Sequence, residues 1–432
     1  MGQLKNNRVE CAFKDAVFKI STTKQKLKQK EYLQRGEIPV IDQGKDFIGG
    51  FTDDQHRILD CKLPVIIFGD HTKNVKLIDF SFAPGADGTK VLQPKKYIIP
   101  KFLFYITEVL VFKIKDNGYA RHYQHIEKEN FTLVSIPEQK AIVQKIEELF
   151  SSLDSGIAGL KRAQELLKIY RQAVLKKAFD GELTNKWREK KSIVRENWKK
   201  NKLGEVLKTI DGDRGKNYPK KNEFVSEGYC LFLSTKNVRQ GEFVFDENQF
   251  ISEEKDNLLG GGKLKRNDVV LTTRGTLGNV AIYDSKIQFK NIRINSGMLI
   301  LRVNNFKELS QSFLMRFINS SLFFKQLKAK QSGTAQPQIP ANVLREIEIE
   351  IPSEIEEQHQ IVKEIESRLS VCDAVEESIK ESLEKAEALR QSILKRAFAG
   401  QLLSEEELAD CKSQPDYEPA SVLLEKLKAE KK

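Results

Sequence analysis

Two nearly identical runs, residues 175–183 (LKKAFDGEL) and 394–402 (LKRAFAGQL), stand 219 positions apart and close a longer repeat. Residues 138–183 align without a gap onto 357–402, with 18 identities in 46 positions. Glu138-Gln139 with Ile142-Val143 recurs as Glu357-Gln358 with Ile361-Val362, and Arg171-Gln172 recurs as Arg390-Gln391. An Ile-Pro pair precedes each copy, Ile136-Pro137 and Ile351-Pro352. A repeat of this size marks a duplicated structural unit.

Both copies read as long helices. Apolar or small residues fall at 146, 149, 153, 157, 160, 163, 167, 170, 174 and 178 in the first, and at 361, 365, 369, 372, 375, 379, 383, 386, 389, 393 and 397 in the second. Steps of three and four lay one apolar stripe along each helix. A proline before the start and Gly181 or Gly400 near the end punctuate them as helix boundaries. About 40 residues at about 1.5 Å each give a helix of about 60 Å. Matched length and register predict an antiparallel coiled-coil pair; the alternative is that each helix caps its own domain. Gly156 and Gly159, inside the first helix, are read as a point of close helix–helix approach.

The segments outside the repeat resemble each other more faintly. The run 64–70 (PVIIFGD) faces 268–274 (DVVLTTR), residues 101–104 face 312–315, and Gln124 faces Gln338, with an offset that rises steadily along the chain. Short β-branched or aromatic runs such as 38–42, 65–68, 269–273 and 298–303 alternate with glycine-rich turns. The expected fold class is α+β: two pseudo-symmetric α+β blocks and the two long helices. The expected segments are 1–135 (first block), 136–183 (long helix), 184–197 (linker), 198–350 (second block), 351–402 (long helix) and 403–432 (tail).

Charge follows the same division. The net charge of +11 separates into +6 over 1–135 and +11 over 184–350, against +1 over 136–183 and −7 over 351–432. Positive charge concentrated in two blocks points to a polyanion. No apolar run is long enough to span a bilayer, and the N-terminus, with Lys5, Arg8 and Glu10 among polar residues, lacks a signal-peptide pattern. The five scattered cysteines form no CxxC pair, so free thiols in a cytoplasmic protein are expected.

Catalytic constellations are not found. Gly260-Gly261-Gly262-Lys263 lacks the spacing and the Ser/Thr of a phosphate loop; GxGxxG after a strand, HExxH, GxSxG and the Asn/Asp-Pro-Pro-Tyr/Phe motif are missing. His122 and His125 have no obvious third metal ligand beside them. Material for DNA contact is plentiful. In the second block it comprises Arg214, Lys216, Lys220 and Lys221 in a glycine-containing loop, then Ser234, Thr235, Lys236, Asn237 and Arg239, then Thr273 and Arg274, then Arg293 and Asn295, and Gln338. In the first block it comprises Lys24, Lys26 and Lys28, then Gln43, His71 and Thr72, then Arg121 and His122. Lysines suit phosphates, and Arg and Asn at strand ends suit the edges of guanine and adenine. The alternating lysines also read as a solvated loop, and each Arg or Asn as ordinary surface or turn chemistry.

Taken in order, these features resemble the specificity subunit of type I restriction–modification enzymes. The resemblance covers nearly the whole chain. It rests on the Ile-Pro, Glu-Gln and Gln-x-x-Leu-Lys-Lys/Arg-Ala-Phe-x-Gly-x-Leu repeat, on Trp198 with Leu203-Gly204-Glu205-Val206, on 264–271 (LKRNDVVL), on 331–338 (QSGTAQPQ) and on 418–425 (EPASVLLE). It implies two target-recognition domains that read the halves of a bipartite site in double-stranded DNA. It also implies helices that set the half-site separation and dock two modification (methyltransferase) subunits, with restriction subunits joining to cleave. S-adenosylmethionine, ATP and Mg would then sit on those partners, with no cofactor and no catalytic residue on this chain. The first block departs from the pattern, offering only residues 13–20 where the second has its Trp and Leu-Gly-Glu start. Two other classes stay open on residues alone: a coiled-coil adaptor gripping RNA or acidic partners, and an enzyme with an unrecognised site.

Overall fold

Among the described residues, nine strands in each block are joined in the same order, a correspondence far closer than the sequence discloses. The structure is a computed structural model that describes residues 8–85, 87–114, 121–330 and 338–430. Lys5 and residues 331–337 of the quoted QSGTAQPQ stretch lie outside the described residues. The chain forms two compact units, Met1–Leu160 with Glu381–Lys432 and Lys161–Lys380.

The first unit holds β1 (Val9–Ala12), β2 (Val17–Ile20), β3 (Ile38–Ile41), β4 (Gly50–Thr52), β5 (Val65–Gly69), β6 (Val75–Ile78), β7 (Ala83–Pro84), β8 (Thr89–Pro94) and β9 (Asn130–Leu133). They pair as an antiparallel sheet β2-β8-β5-β6, a mixed sheet β4-β3-β7 and the pair β1-β9. The second unit holds β10 (Lys199–Lys202), β11 (Leu207–Asp211), β12 (Cys230–Leu233), β13 (Phe250–Ile251), β14 (Val269–Thr272), β15 (Val280–Ile282), β16 (Ile292–Ile294), β17 (Met298–Val303) and β18 (Glu348–Ile351). These pair as β11-β17-β14-β15, β13-β12-β16 and β10-β18. Corresponding strands run parallel in both units, β3 with β7 and β12 with β16.

The central strand explains the unbroken apolar runs. Every residue of β5 and of β14 is buried. Alternate side chains serve different cores: Ile66 and Phe68 face one cluster, Val65 and Ile67 another. A sheet covered on both faces needs apolar residues on both, so the usual in–out alternation is lost. One cover is a helix, Pro100–Lys113 in the first unit and Gln311–Ile318 in the second. The short helices just before the last strand of each block start at Tyr123 and Ala341, an offset of 218. Gln124 and Gln338 are therefore not equivalent, which corrects the sequence alignment at that point.

The repeat forms two helices, Ile136–Phe179 and Ile355–Phe398. The shared glutamine acts identically in both. Gln139 Oε1 accepts from Ile99 N–H at 2.9 Å, and its Nε2 donates to the carbonyls of Tyr97 and Val134. Gln358 Oε1 accepts from Ser310 N–H at 2.9 Å, and its Nε2 donates to those of Glu308 and Pro352. Each glutamine thus ties its helix to the block before it. The far end of each helix enters the other block's core. Phe179 packs on Phe313 and Phe317 at 5.2 and 5.4 Å, and its repeat partner Phe398 packs on Phe102 at 5.4 Å. Gly181 and Gly400 then end the helices at φ of 79° and 76°, where a side chain is strained.

An arginine closes each crossing. In the second unit Arg188 donates to the carbonyl of Gly181 at 2.7 Å and to Glu357 at 2.6 Å, while Trp198 Nε1 donates to the same carboxylate at 3.1 Å. In the first unit Arg8 pairs with Glu138 at 2.6 Å, with no tryptophan present. The carboxylate at a helix start and the cation at a helix end both suit the helix dipole. Residues 184–197, expected as a linker, are instead ordered around this buried Arg188–Glu357 pair.

The helices run antiparallel where they meet within each unit. Arg171 bonds Asp373 and Glu376 at 2.6 and 2.9 Å in the second unit. In the first, the repeat-related Arg390 bonds Asp154 and lies 4.3 Å from the centre of the Phe150 ring. The seam is apolar near the blocks, through Val174 and Leu175 with Ile361 and Ile365, and through Ile142 and Ile146 with Ile393 and Leu394. Toward the middle the stripe thins: Tyr170, Val375 and Leu389, expected to be buried in it, are exposed. Gly156 and Gly159 have nothing within 4 Å of an added Cβ, so close helix approach is not their role.

Candidate nucleic-acid interface

The parallel ladders bring loop ends together. Because β12 and β16 run the same way, the segments leaving them, at Ser234 and Asn295, emerge at one edge. Asn295 N–H donates to the Leu233 carbonyl at 3.1 Å. The segment leaving β14 joins them: Thr273 N–H and Arg274 N–H both donate to the Gly297 carbonyl, at 2.8 and 3.2 Å. A Cβ on Gly297 would lie 3.1 Å from Thr235 Cγ2 and 3.9 Å from Arg274 Cβ. Ile339 N–H donates to the Thr273 carbonyl at 3.1 Å, which sets exposed Gln338 beside the group.

Arg214 reaches the same place from another loop, donating to Ser296 O at 3.3 Å and to Asp211 Oδ1 at 3.1 Å. That loop is pinned by Asp213, a residue sequence reading passed over. Its carboxylate accepts from Gly215 N–H at 2.7 Å and Gly260 N–H at 2.8 Å, and these backbone bonds hold it below the usual carboxylate range. The available signal was the Asp-x-Gly spacing, an Asx-turn pattern. Gly212 abuts the Asn295 carbonyl so closely that a Cβ would sit 2.1 Å from its oxygen. Arg214, Thr235, Arg274, Asn295 and Gln338 therefore form one cluster. Lys216, Lys220, Lys221 and Arg239 are exposed as well. Lys236 pairs with Glu247 at 2.9 Å on the rim of a cleft of about 250 Å³ that Ser234 also lines.

Three candidates of the second block belong to its interior. Arg293 is 5% exposed, and its guanidinium makes four bonds: Nε on Asp256, Nη1 on Gly261 O, and Nη2 on Asp256 O and Leu259 O. Burial works against ionising Asp256, but Lys263 and Arg293 outweigh it and keep the carboxyl low. The pair braces the Gly260–Gly262 turn against which Asp213 holds Arg214. Asn237 is buried, accepting from Ser234 N–H and donating to the carbonyls of Val244 and Glu247. Thr273 Oγ1 donates to Gly297 O at 3.0 Å. All three are buried and already bonded within the block, so the folded protein does not present them at its surface.

The first block repeats the geometry with different chemistry. Gln43 follows β3 and is held on two sides: its Nε2 donates to Asp87 O at 2.9 Å, and its Oε1 accepts from His71 N–H at 3.1 Å. Thr72 Oγ1 donates to Gln43 O at 2.5 Å. Lys26 pairs with Asp87, and this bond holds the exposed carboxyl of Asp87 low. Asp70 N–H donates to Gly88 O and His122 N–H to Asp70 O, each at 2.8 Å. Lys26, Gln43, His71, Thr72 and Arg121 thus gather around β3, β5 and β7, whereas Lys24 and Lys28 are simply exposed. His122 is buried in the free protein, where it meets no surface. Lys90, which pairs with Asp70 at 3.2 Å, is a cation that sequence reading missed.

Among the described residues, no group of three or more His, Cys, Asp or Glu is placed to hold a metal ion. No helix there is long and apolar enough to cross a membrane.

Residues 13–164 and 195–385 match the family model described as the type I restriction modification DNA specificity domain. The chain is 27% identical over 316 residues to the EcoBI specificity subunit of Escherichia coli, covering 69% of this chain and 65% of that one, just under two thirds of its length. It is 27% identical over 354 residues to the EcoKI specificity subunit of Escherichia coli (strain K12), covering 79% and 74%. Likeness to the MjaVIII specificity subunit of Methanocaldococcus jannaschii is 28% over 316 residues, 71% of each chain. Among solved structures, a chain from work on complex assembly and conformational transition of the type I R-M system has a TM-score of 0.67 at 17% identity, over 93% of this chain and 100% of that one. The HsdS subunit from Thermoanaerobacter tengcongensis has a TM-score of 0.54 at 17% identity, over 93% and 98%. These two structures share the fold.

Proposed function

The chain belongs to the family of type I restriction modification DNA specificity domains, and from that premise we propose that it reads a bipartite site in double-stranded DNA for partner enzymes. The observation that carries this reading is the twofold loop cluster. Two blocks of one topology each gather polar and cationic side chains at the ends of corresponding strands. Arg214, Thr235, Arg274, Asn295 and Gln338 would contact one half-site, and Lys26, Gln43, His71, Thr72 and Arg121 the other. The remaining exposed candidates, Lys24, Lys28, Lys216, Lys220, Lys221, Lys236 and Arg239, suit phosphates. The two clusters differ residue by residue within a shared frame, as two readers of different sequences should.

The long helices fix the distance between half-sites and carry two modification subunits, which restriction subunits join. S-adenosylmethionine, ATP and Mg act on those partners, in the cytoplasm. One helical turn adds about 5.4 Å, against about 3.4 Å per base pair, so it shifts the spacer by one to two base pairs. Inserting four residues beside Ala163, with a matching insertion in the facing helix, should lengthen the spacer and leave both half-site sequences intact. Methylome sequencing of cells carrying the chain, the variant or neither reads this directly. An unchanged spacer refutes the ruler, and a methylome indifferent to the chain refutes the function.

A further inference from the structure

His122 is 1% exposed, and neither Nδ1 nor Nε2 has a hydrogen-bond partner among the described residues. An imidazole carries a donor on one nitrogen and an acceptor on the other when neutral, and two donors when charged. Leaving both unmade in a buried place is disfavoured in either state, and native proteins rarely do it without a reason. The backbone around the ring is well held. His122 N–H donates to Asp70 O at 2.8 Å and Tyr123 N–H to Asp70 Oδ1 at 2.9 Å. Asp70 is itself buried and paired with Lys90. The fold does not require a polar side chain there. In the second unit the corresponding residue before the short helix is Pro340, which has none.

The position is also a boundary. Arg121, the preceding residue, is exposed, and Asp70 leads directly into His71 and Thr72 of the loop cluster. We propose that His122 is a latent specificity residue: DNA binding draws it out of its unpaired burial, and it bonds a base edge of the first half-site. This rests on the DNA-reading function proposed above. An imidazole offers a donor and an acceptor together, which matches a base edge, whereas a phosphate only accepts.

The test uses the full chain with its modification partner and a duplex carrying the methylated site recovered by sequencing. His122→Phe should raise the melting temperature of the free protein, because the unpaired nitrogens are gone. It should weaken binding at least ten-fold and relax discrimination at one base pair of the first half-site only. The slope of affinity against salt should stay unchanged, since no phosphate contact is lost. His122→Gln, which keeps a donor and an acceptor, should restore most of the discrimination. In wild-type protein labelled with ¹⁵N-histidine, the ring signals of His122 should shift with this duplex and not with a scrambled one. Unshifted signals, or a His122→Phe variant that reads both half-sites like wild type, would overturn the proposal. Wild-type protein that binds no duplex would instead overturn the function beneath it.

Discussion

Replacing Glu108 with Gln should stabilise the first unit above neutral pH and do nothing in mild acid. Glu108 lies on the helix Pro100–Lys113, and burial pushes its carboxyl up to about 7 from an ordinary 4.5. Arg390 pulls it back in part, and Glu387 pushes it further up. At the corresponding place in the second unit stands Asn319, already an amide, accepting from Gln240 Nε2 at 2.8 Å. The sign follows from linkage. Below about pH 4.5 Glu108 is protonated in both states and costs nothing. Between there and about pH 7 the unfolded chain ionises while the folded one keeps its proton, so stability falls as pH rises; above that the loss levels off. At about 1.4 kcal/mol per unit the plateau is about 3 kcal/mol, and losing the Arg390 attraction trims the gain from Gln to about 1–3 kcal/mol. Urea denaturation by far-UV circular dichroism at about pH 4 and about pH 8 measures it. Both tryptophans, Trp187 and Trp198, belong to the second unit, so their fluorescence follows that unit separately. An equal shift at both pH values, or none at the higher one, refutes the reasoning.

Two further outcomes test the packing. Arg293→Met should cost about 3–5 kcal/mol, because it leaves Asp256 buried beside only Lys263, and should loosen the turn behind Arg214; thermal melts check the first effect and hydrogen exchange at Gly260–Gly262 the second. Gly156→Ala with Gly159→Ala should raise stability by about 1 kcal/mol each, since both are exposed helix interiors with open space around Cβ, and calorimetry would show the melting temperature rise by a few degrees.

The sequence by itself determined the repeat, and with it the two helices, their caps at Gly181 and Gly400 and the duplication of the blocks. Such features are local: helical period, proline and glycine depend on near neighbours in the chain. It also pointed to loops that the fold gathers together, because strand ends with Arg, Asn or Gln are visible as text. Only the tertiary structure decided that Phe179 and Phe398 enter the opposite block's core. It alone decided that Gly156 and Gly159 face open space, and that residues 184–197 close around Glu357. It likewise separated Arg214 and Arg274, which are exposed, from Arg293, Asn237, Thr273 and His122, which are buried. Exposure and hydrogen-bond saturation arise from residues distant in sequence, such as Asp256 with Arg293 or Asp70 with His122. No spacing along the chain encodes those partners.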